Sequence, residues 1–380
     1  MYTGTIKSQL IVNASNLVGW QTKRKIVVLE SDDWGSIRIP SKKDYDSMVR
    51  KGLDLGRSNY TSLDCLESND DLENLFSLFG EFKDSTGRPP VMTPMCVMAN
   101  PDFEKIKESG FSEYYYENFV ETCKRYPNSD RVHNLWKQGI SDRLFVPGLH
   151  GREHLNVIRW MHALKSNNMG LRIAFDHGSL GAVYYKGKPI PEYLGAFHPE
   201  SSSEIKSFGE IIETAAYLFY LNCGYSPSCF IAPNKEEPKE LEGVLQNTGV
   251  KYLTRSKMRK YPLGDNRFKL EFNWMGKRNG LGQICLVRNC FFEPSSWGEF
   301  NPNTNWIDNC MKEMGIAFLW HKPSIIISHR VNYVGSINPK YRDRSLRQLK
   351  ELFTRMLKEW PDIEFLTSEE LGELIAQSKK

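Results

Sequence analysis

The feature that most constrains the fold of this 380-residue chain is the alternation of short apolar runs with longer amphipathic segments. Runs such as "KIVVLESD" (25–32) and "PSIIISHR" (323–330) are apolar at consecutive positions, which is typical of strands buried on both faces. Segments such as "EIKSFGEIIETAAYLFYLN" (204–222) instead place apolar residues at helical spacing. This alternation along the whole chain favours an α/β protein with a parallel sheet covered by helices.

Seven or eight strands in one chain of this length fit a closed or nearly closed (β/α) barrel better than two small domains. We therefore expect residues 1–380 to form one domain, with a helical insertion over about 101–142 and a rim loop or hairpin over about 257–282. The remaining runs predicted as strands are 89–100, 143–150, 171–178, 228–234, 250–256 and 283–292.

Composition argues against several classes of protein. The 50 Lys and Arg residues nearly balance 46 Asp and Glu residues without long blocks of one sign, so nucleic acid is not an expected partner. No stretch approaches the roughly 20 apolar residues of a transmembrane helix, and the first 25 residues lack the pattern of a secretion signal. The eight cysteines are scattered, which favours reduced core thiols. We expect a cytoplasmic protein, and its oligomeric state stays open.

Polar side chains stand at three of the predicted strand ends, and in parallel barrels the carboxyl ends of the strands carry the chemistry. Asp32 and Asp33 follow the first strand in "VVLESDDWGS", and His329 ends the last one in "PSIIISHRVN". His150 ends another strand in "LFVPGLHGREHLN". His154 comes four residues later, a helical spacing that would place the two side chains about 5–6 Å apart. Two carboxylates and three imidazoles are thus expected to converge.

Two neutral imidazoles and one carboxylate form a common divalent-metal site with open positions. One of Asp32 and Asp33 would bind the metal while the other accepts a proton, and the residues alone do not decide which. His329 would lie across the site and protonate a leaving group. The expected cofactor is one divalent metal ion, with zinc as the first choice and iron, nickel, cobalt or manganese as alternatives.

Three motifs of the chain resemble those of the polysaccharide deacetylase superfamily (NodB homology, carbohydrate esterase family 4-like). "SDDWGS" resembles its Asp-Asp motif, "HGREH" its His-Ser/Thr-x-x-His motif and "IIISH" its last apolar strand ending in His, in the same order. The resemblance covers about residues 25–334 and implies a distorted (β/α)7–8 barrel. It also implies that Asp32 is the catalytic base and that His329 is the general acid. The metal ligands that it implies are Asp33, His150 and His154.

The chain departs from this superfamily at the third motif, Arg-x-Pro-aromatic, whose Arg orients the base. The nearest segment, "FIAPN", has Phe230 in place of the Arg and Asn234 in place of the aromatic residue. An Arg beside the base would keep it ionised. We hypothesise that Arg38 or Arg152 takes this part. The candidates for substrate contact are Trp34, Arg152, Pro233 and Asn234.

The function predicted from these motifs is the metal-dependent removal of an acyl group, N-acetyl in the simplest case, from a carbohydrate or amino-sugar precursor. One alternative is a catalytically silent carbohydrate-binding barrel, which Phe230 favours. The other is a glycosidase on a related barrel. Glycosidases need two carboxylates about 5–9.5 Å apart across the scissile bond, an arrangement that the adjacent Asp32 and Asp33 fit poorly.

Overall fold

The structure, a computed structural model, describes residues 13, 16–181, 184–295 and 304–378. Its main sheet has eight strands in one continuous order, and all of their pairings are parallel. With strands numbered along the chain, this order is β13 (Ile284–Val287), β10 (Tyr252–Arg255), β9 (Cys229–Phe230), β6 (Gly148–Gly151), β3 (Met92–Val97), β1 (Lys25–Trp34), β15 (Ser324–His329) and β14 (Cys290–Phe291). A ninth strand, β16 (Ile363–Phe365), pairs in parallel with the start of β1.

The two ends of this sheet lie close together. β13 and β14 stand at opposite ends of the order, yet only Arg288 and Asn289 separate them in the chain. A link of that length spans at most about 10 Å, so the sheet must curl until its ends approach each other. A hydrogen bond of 3.1 Å from Thr254 Oγ1 on β10 to Glu30 Oε1 on β1 crosses the interior. The predicted distorted (β/α) barrel is confirmed.

Helices cover the barrel. Along the chain they are α1 (Lys42–Arg50), α2 (Asn59–Ser62), α3 (Asn69–Gly80), α4 (Phe103–Glu108), α5 (Phe119–Arg125), α6 (Val132–Ser141), α7 (Val157–Lys165), α8 (Met169–Asp176), α9 (Ile205–Cys223), α10 (Leu241–Asn247), α11 (Trp306–Leu319), α12 (Pro339–Glu359) and α13 (Ser368–Gln377). Short 3-10 turns occur at Ser202–Glu204, Pro233–Lys235 and Arg330–Asn332.

Three small antiparallel units lie outside the barrel sheet. The first joins β2 (Leu53–Asp54), β7 (Tyr184–Tyr185) and β8 (Lys188–Pro189), and the second joins β4 (Ala99–Pro101) and β5 (Tyr116–Asn118). The third is a hairpin of β11 (Met258–Gly264) and β12 (Arg267–Phe272), which lies in the segment 257–282. The segment 101–142 contains α4, α5 and α6, together with β5.

The strand predicted over 171–178 is wrong, because residues 171–176 belong to helix α8 and residues 177–178 form the turn after it. Asn168 caps this helix, and its side-chain oxygen accepts a hydrogen bond of 3.1 Å from the backbone N–H of Leu171. The buried Leu171, Ala174 and Phe175 also fit the helical period. A short apolar run does not by itself distinguish a strand from a buried helix, and here the cap marks the helix.

The eight cysteines are buried and free. Within the described ranges, no helix combines the length and the apolar character needed to cross a membrane.

Candidate metal centre

Asp32 and Asp33 lie at an irregularity of β1. The pairing of β1 with β3 changes register between Ser31 and Trp34, and Asp33 has φ = 79°, in the left-handed region. Side chains of a regular strand alternate between the two faces, whereas a bulge changes this alternation. Both carboxylates consequently approach histidines of the site: Asp33 Oδ1 is 3.1 Å from His154 Nε2 and Asp32 Oδ2 is 3.7 Å from His329 Nε2.

The two histidines of "HGREH" meet for a different reason from the one predicted. His150 lies in β6, but His154 lies in the loop after it, because helix α7 begins only at Val157. Gly151 has φ = 120°, a conformation that residues with a side chain rarely adopt, and the chain turns there. The two imidazole rings lie 5.1 Å apart between centroids. The helical spacing is therefore the wrong explanation of a contact that does exist.

Asp33, His150 and His154 form a compact set of metal-ligand atoms. One atom from each residue lies within 4.8 Å of the others, and all three side chains are buried. Asp33 Oδ1 is 3.6 Å from His150 Nε2 as well as 3.1 Å from His154 Nε2. His150 Nδ1 donates a hydrogen bond of 2.8 Å to the carbonyl of Ile231, so Nε2 is the ring nitrogen that faces Asp33.

The charge states of these groups suit a cation. Burial, followed by the charge of Arg38, lowers the pKa of His154 to about 4 although Asp33 opposes the shift, so the imidazole is neutral at pH 7. Burial alone would raise the pKa of Asp33, but His154, His150 and Arg38 hold that pKa well below its ordinary value. Imidazole nitrogens beside an ionised carboxylate are a donor set that divalent transition metals accept. The residues therefore fit the predicted metal ion.

Asp32 has a cationic partner of its own. Arg288 donates from Nη1 to Asp32 Oδ2 (2.7 Å) and from Nη2 to Oδ1 (2.5 Å), and its Nε donates to Glu30 Oε2 (2.5 Å). Glu30 also accepts hydrogen bonds from the hydroxyls of Thr254 and Ser368, so the guanidinium is fixed from both sides. Burial by itself would raise the pKa of Asp32, but Arg288 and then His329 hold it far below its ordinary value. Asp32 is an oriented, ionised carboxylate.

The hypothesis that Arg38 or Arg152 replaces the missing Arg of the third motif is wrong. Arg38 approaches the other aspartate, with its Nη2 at 3.6 Å from Asp33 Oδ1. Arg152 pairs with Glu153 (2.6 Å) and lies over the ring of Tyr116. Arg288 contacts the carboxylate of Asp32 instead. It projects from the two-residue link that closes the barrel, a position that the chain order alone does not bring near β1.

His329 is held in the protonated form. Its Nδ1 is 2.5 Å from Glu293 Oε1, and Asn332 Nδ2 donates to Glu293 Oε2 at 2.8 Å. Burial by itself would lower the pKa of His329, but Glu293 and then Asp32 outweigh it and raise that pKa to about 9. The imidazolium therefore carries a proton on Nε2, on the side of Asp32, at neutral pH.

The predicted substrate contact of Trp34 is wrong. Its side chain is 0% exposed, and Nε1 donates a hydrogen bond of 2.9 Å to Ser31 Oγ. The indole packs against the rings of Phe145 and Tyr333 in the core. A buried indole has no face on which a sugar could stack, so Trp34 supports the strand end from within.

Pro233 and Asn234 lie in the turn after β9. Pro233 is buried, whereas Asn234 is exposed and its Nδ2 donates to Glu192 Oε1 at 3.0 Å. Asn234 and Lys235 have φ values of 56° and 61°, and two consecutive left-handed residues are a strained conformation that is typical of functional sites. Burial lowers the pKa of Lys235, and Arg288 adds to this, while Asp32 opposes it. Lys235 thus joins Arg288 as a second cationic side chain close to Asp32.

Two residues of the site, Arg288 and Glu293, are not among the candidates taken from the sequence. Arg288 directly follows the apolar strand "ICLV", and Glu293 follows "CFF". The signal that identifies Asp32 and His329, a polar side chain at the end of an apolar run, is present at both positions.

The comparisons with known proteins show likeness of fold alone. No protein-family model matches the chain, and no curated protein matches it. Among solved structures, a Mycobacterium smegmatis protein assigned as a polysaccharide deacetylase has a TM-score of 0.46 and 10% identity, covering 94% of this chain and 93% of that chain. The allantoinase PuuE has a TM-score of 0.46 and 10% identity, and the match covers 93% of this chain and 91% of that chain. BA3943, a CE4 family pseudoenzyme from Bacillus anthracis, has a TM-score of 0.37 and 10% identity, with 92% and 66% covered.

Proposed function

We propose that the protein is a metal-dependent hydrolase that removes an acyl group, N-acetyl in the simplest case, from a carbohydrate or amino-sugar precursor. The observation that carries this proposal is the separation of five buried groups into two sets. Asp33, His150 and His154 make up the ligand set, while Asp32 and His329 form a separate acid–base pair 3.7 Å apart. The carbohydrate part of the proposal rests on the resemblance of the three motifs to those of polysaccharide deacetylases.

Asp33, His150 and His154 are the residues that would hold the cation. A divalent ion there would supply a coordinated water with its pKa lowered to about 7 and would polarise the carbonyl of the acyl group. Zinc suits two imidazoles and one carboxylate, and iron, nickel, cobalt and manganese are the alternatives.

The acid–base pair supplies the proton transfers. Asp32 accepts a proton, and the two hydrogen bonds from Arg288 keep its carboxylate ionised and fixed in orientation. His329 holds a proton on Nε2 because Glu293 binds its Nδ1–H, and the leaving amine takes that proton when the C–N bond breaks. Both side chains are largely shielded from bulk water, which strengthens these electrostatic interactions.

The test combines metal content with acetate release from chito-oligosaccharides or an aryl acetate. Wild-type protein incubated with Zn²⁺ and desalted should retain about one equivalent of metal, and His150→Ala/His154→Ala should retain none and release no acetate. Asp32→Asn should keep the metal and lose at least about a hundredfold in rate. The matched control is His162→Ala at an exposed position of α7, which should behave as wild type. Wild-type protein that retains no metal would reject the proposal.

The two alternatives lose support from the observed contacts. The silent barrel was favoured by Phe230 in place of Arg, but Arg288 provides a guanidinium for Asp32. The glycosidase needs two carboxylates free to face the substrate, whereas Asp32 is paired with Arg288 and Asp33 lies between two imidazoles.

A further inference from the structure

An apolar pocket opens beside the candidate site. Its empty space, including the solvent-filled mouth, is about 560 Å³. Its walls come from residues 38–39 after β1, residues 60–61 of α2, and the segments 179–181 and 190–194 on either side of β7 and β8. The side chains that form most of the wall are apolar and buried: Ile39, Leu180, Ile190 and Tyr193.

The pocket shares residues with both parts of the site. The ring of Tyr60 lies edge-on to the imidazole of His329, with 5.2 Å between the centroids. Arg38 Nη2 is 3.6 Å from Asp33 Oδ1. A group in the pocket is therefore one side chain away from the site, with Tyr60 between it and His329 and Arg38 between it and Asp33.

Several polar side chains of the wall already have partners, whereas Tyr193 Oη is buried without a hydrogen-bond partner and is a single hydroxyl, too few to replace the hydration of a sugar ring. Arg38 pairs with Asp33 and with Asp64, and Thr61 Oγ1 donates to the carbonyls of Leu55 and Ser58. Glu192, at the exposed mouth, accepts hydrogen bonds from Asn234. The wall consequently offers hydrophobic contact rather than the hydrogen-bonding groups that would replace the hydration of a sugar ring.

We propose that this pocket binds an apolar substituent of the substrate amide, about the size of a short acyl chain or a phenyl ring. The substrate is then a small amphipathic conjugate rather than a bare polysaccharide. This inference rests on the proposed function, which places the reacting amide between Asp33 and His329. Burial of apolar surface should raise kcat/KM by about fourfold for each methylene group that enters the pocket.

Two substrate series distinguish the position of the substituent. The first consists of methyl, butyl and phenyl glycosides of N-acetylglucosamine, and the second of N-acetyl, N-propionyl and N-butyryl glucosamine. We expect kcat/KM to rise about fourfold per methylene in one series, and the series that responds identifies the side of the amide that faces the pocket. A flat or falling response in both series would overturn the inference.

A variant that narrows the pocket tests its location. Leu194→Trp, at the partly buried rim, should reduce the preference for the largest over the smallest member of the responding series at least tenfold. The matched control is Leu319→Trp at a position that is 71% exposed, and it should leave the preference unchanged. An unchanged preference in Leu194→Trp would contradict the pocket. If this variant fails to fold, as judged by circular dichroism, Leu194→Phe serves in its place. The two substrate series measured with the wild-type protein still test the pocket.

Binding without turnover separates this inference from the proposed function. In calorimetry, the wild-type protein should bind the largest member of the responding series (the phenyl glycoside or the N-butyryl sugar) at least tenfold more tightly than its smallest member. If no amide is hydrolysed but this preference is present and is lost in Leu194→Trp, the pocket is supported and the hydrolase proposal fails. If the enzyme is active but binds the members of each series equally, the pocket is rejected and the hydrolase proposal stands.

Discussion

Two regions of the site each contain aspartate and histidine, but the pKa of the histidine is lowered in one region and raised in the other. We call them the ligand side (Asp33, His150 and His154) and the acid–base side (Asp32, His329, Glu30, Arg288 and Glu293). His154 is buried and His329 is partly buried, yet the pKa of His154 is lowered to about 4 and that of His329 is raised to about 9. The difference lies at Nδ1, where His329 contacts Glu293 and His154 Nδ1 is buried without a hydrogen-bond partner. A carboxylate on the second ring nitrogen thus turns a metal-ligand imidazole into a proton donor.

The two aspartates differ in the same way. Both are buried and ionised, but Asp33 lies against two imidazoles whereas both oxygens of Asp32 accept hydrogen bonds from Arg288. Asp33 has only the more distant Arg38, at 3.6 Å, so a divalent ion would complete its partners, while Asp32 is already held by two hydrogen bonds from Arg288. This contrast favours Asp33 as the ligand and Asp32 as the base, a choice that reasoning from the residues alone leaves open.

The largest effect should come from breaking the ligand side alone. His154→Ala removes one of three ligands, so the protein should lose its metal and at least about a thousandfold in rate. Metal analysis and acetate release measure both. His329→Ala is the matched variant on the acid–base side, and it should lose activity while keeping about one equivalent of metal. If both variants lose the metal to the same extent, the division into two sides is wrong.

The next largest effect should come from Asp32→Asn, which replaces the basic carboxylate with an amide of nearly the same shape. We expect a fall of about 10²–10⁴ in kcat with unchanged metal content, since general base catalysis is lost. A loss of metal in this variant would place Asp32 among the ligands and contradict the assignment.

Glu293→Gln should lower the pKa of His329 and so bring it closer to that of His154. Glu293 raises the pKa of His329, and the reaction needs the protonated form, so activity is lost as the pH rises through that pKa. Without the carboxylate the pKa should fall towards the ordinary value of about 6.5, which moves the alkaline limb of the kcat/KM profile to lower pH. At pH 7 we also expect kcat/KM to fall by about 10- to 100-fold. An alkaline limb that does not move would show that His329 is not the titrating acid.

The smallest effect should come from Arg288→Lys. The charge beside Asp32 is kept but the two-pronged contact is lost, so we expect about a tenfold fall in kcat with little change in KM. Arg24→Lys, which alters a surface arginine with a two-pronged contact to Glu364, is the comparison and should change kcat by less than about threefold. Equal effects of the two substitutions would contradict the assignment of Arg288 as the positioning residue.

The parts of the site that follow local patterns can be predicted from the sequence. The Asp pair and His329 are polar residues at the ends of apolar runs, and the structure brings them together with His150 and His154. The contact of Arg288 with Asp32 depends on how far the sheet curls, because four strands lie between β13 and β1 in the sheet order. The burial of Trp34 could not be predicted from the sequence, because it depends on packing against Phe145 and Tyr333, which are distant in the chain.

The most direct test of the central claim is an anomalous difference map from crystals of the wild-type protein soaked in Zn²⁺ and measured at the zinc absorption edge. The account predicts one strong peak coordinated by Asp33, His150 and His154, with Asp32 still bound to Arg288. A peak coordinated by Asp32, or no peak among the three ligand atoms at full soaking, would contradict it.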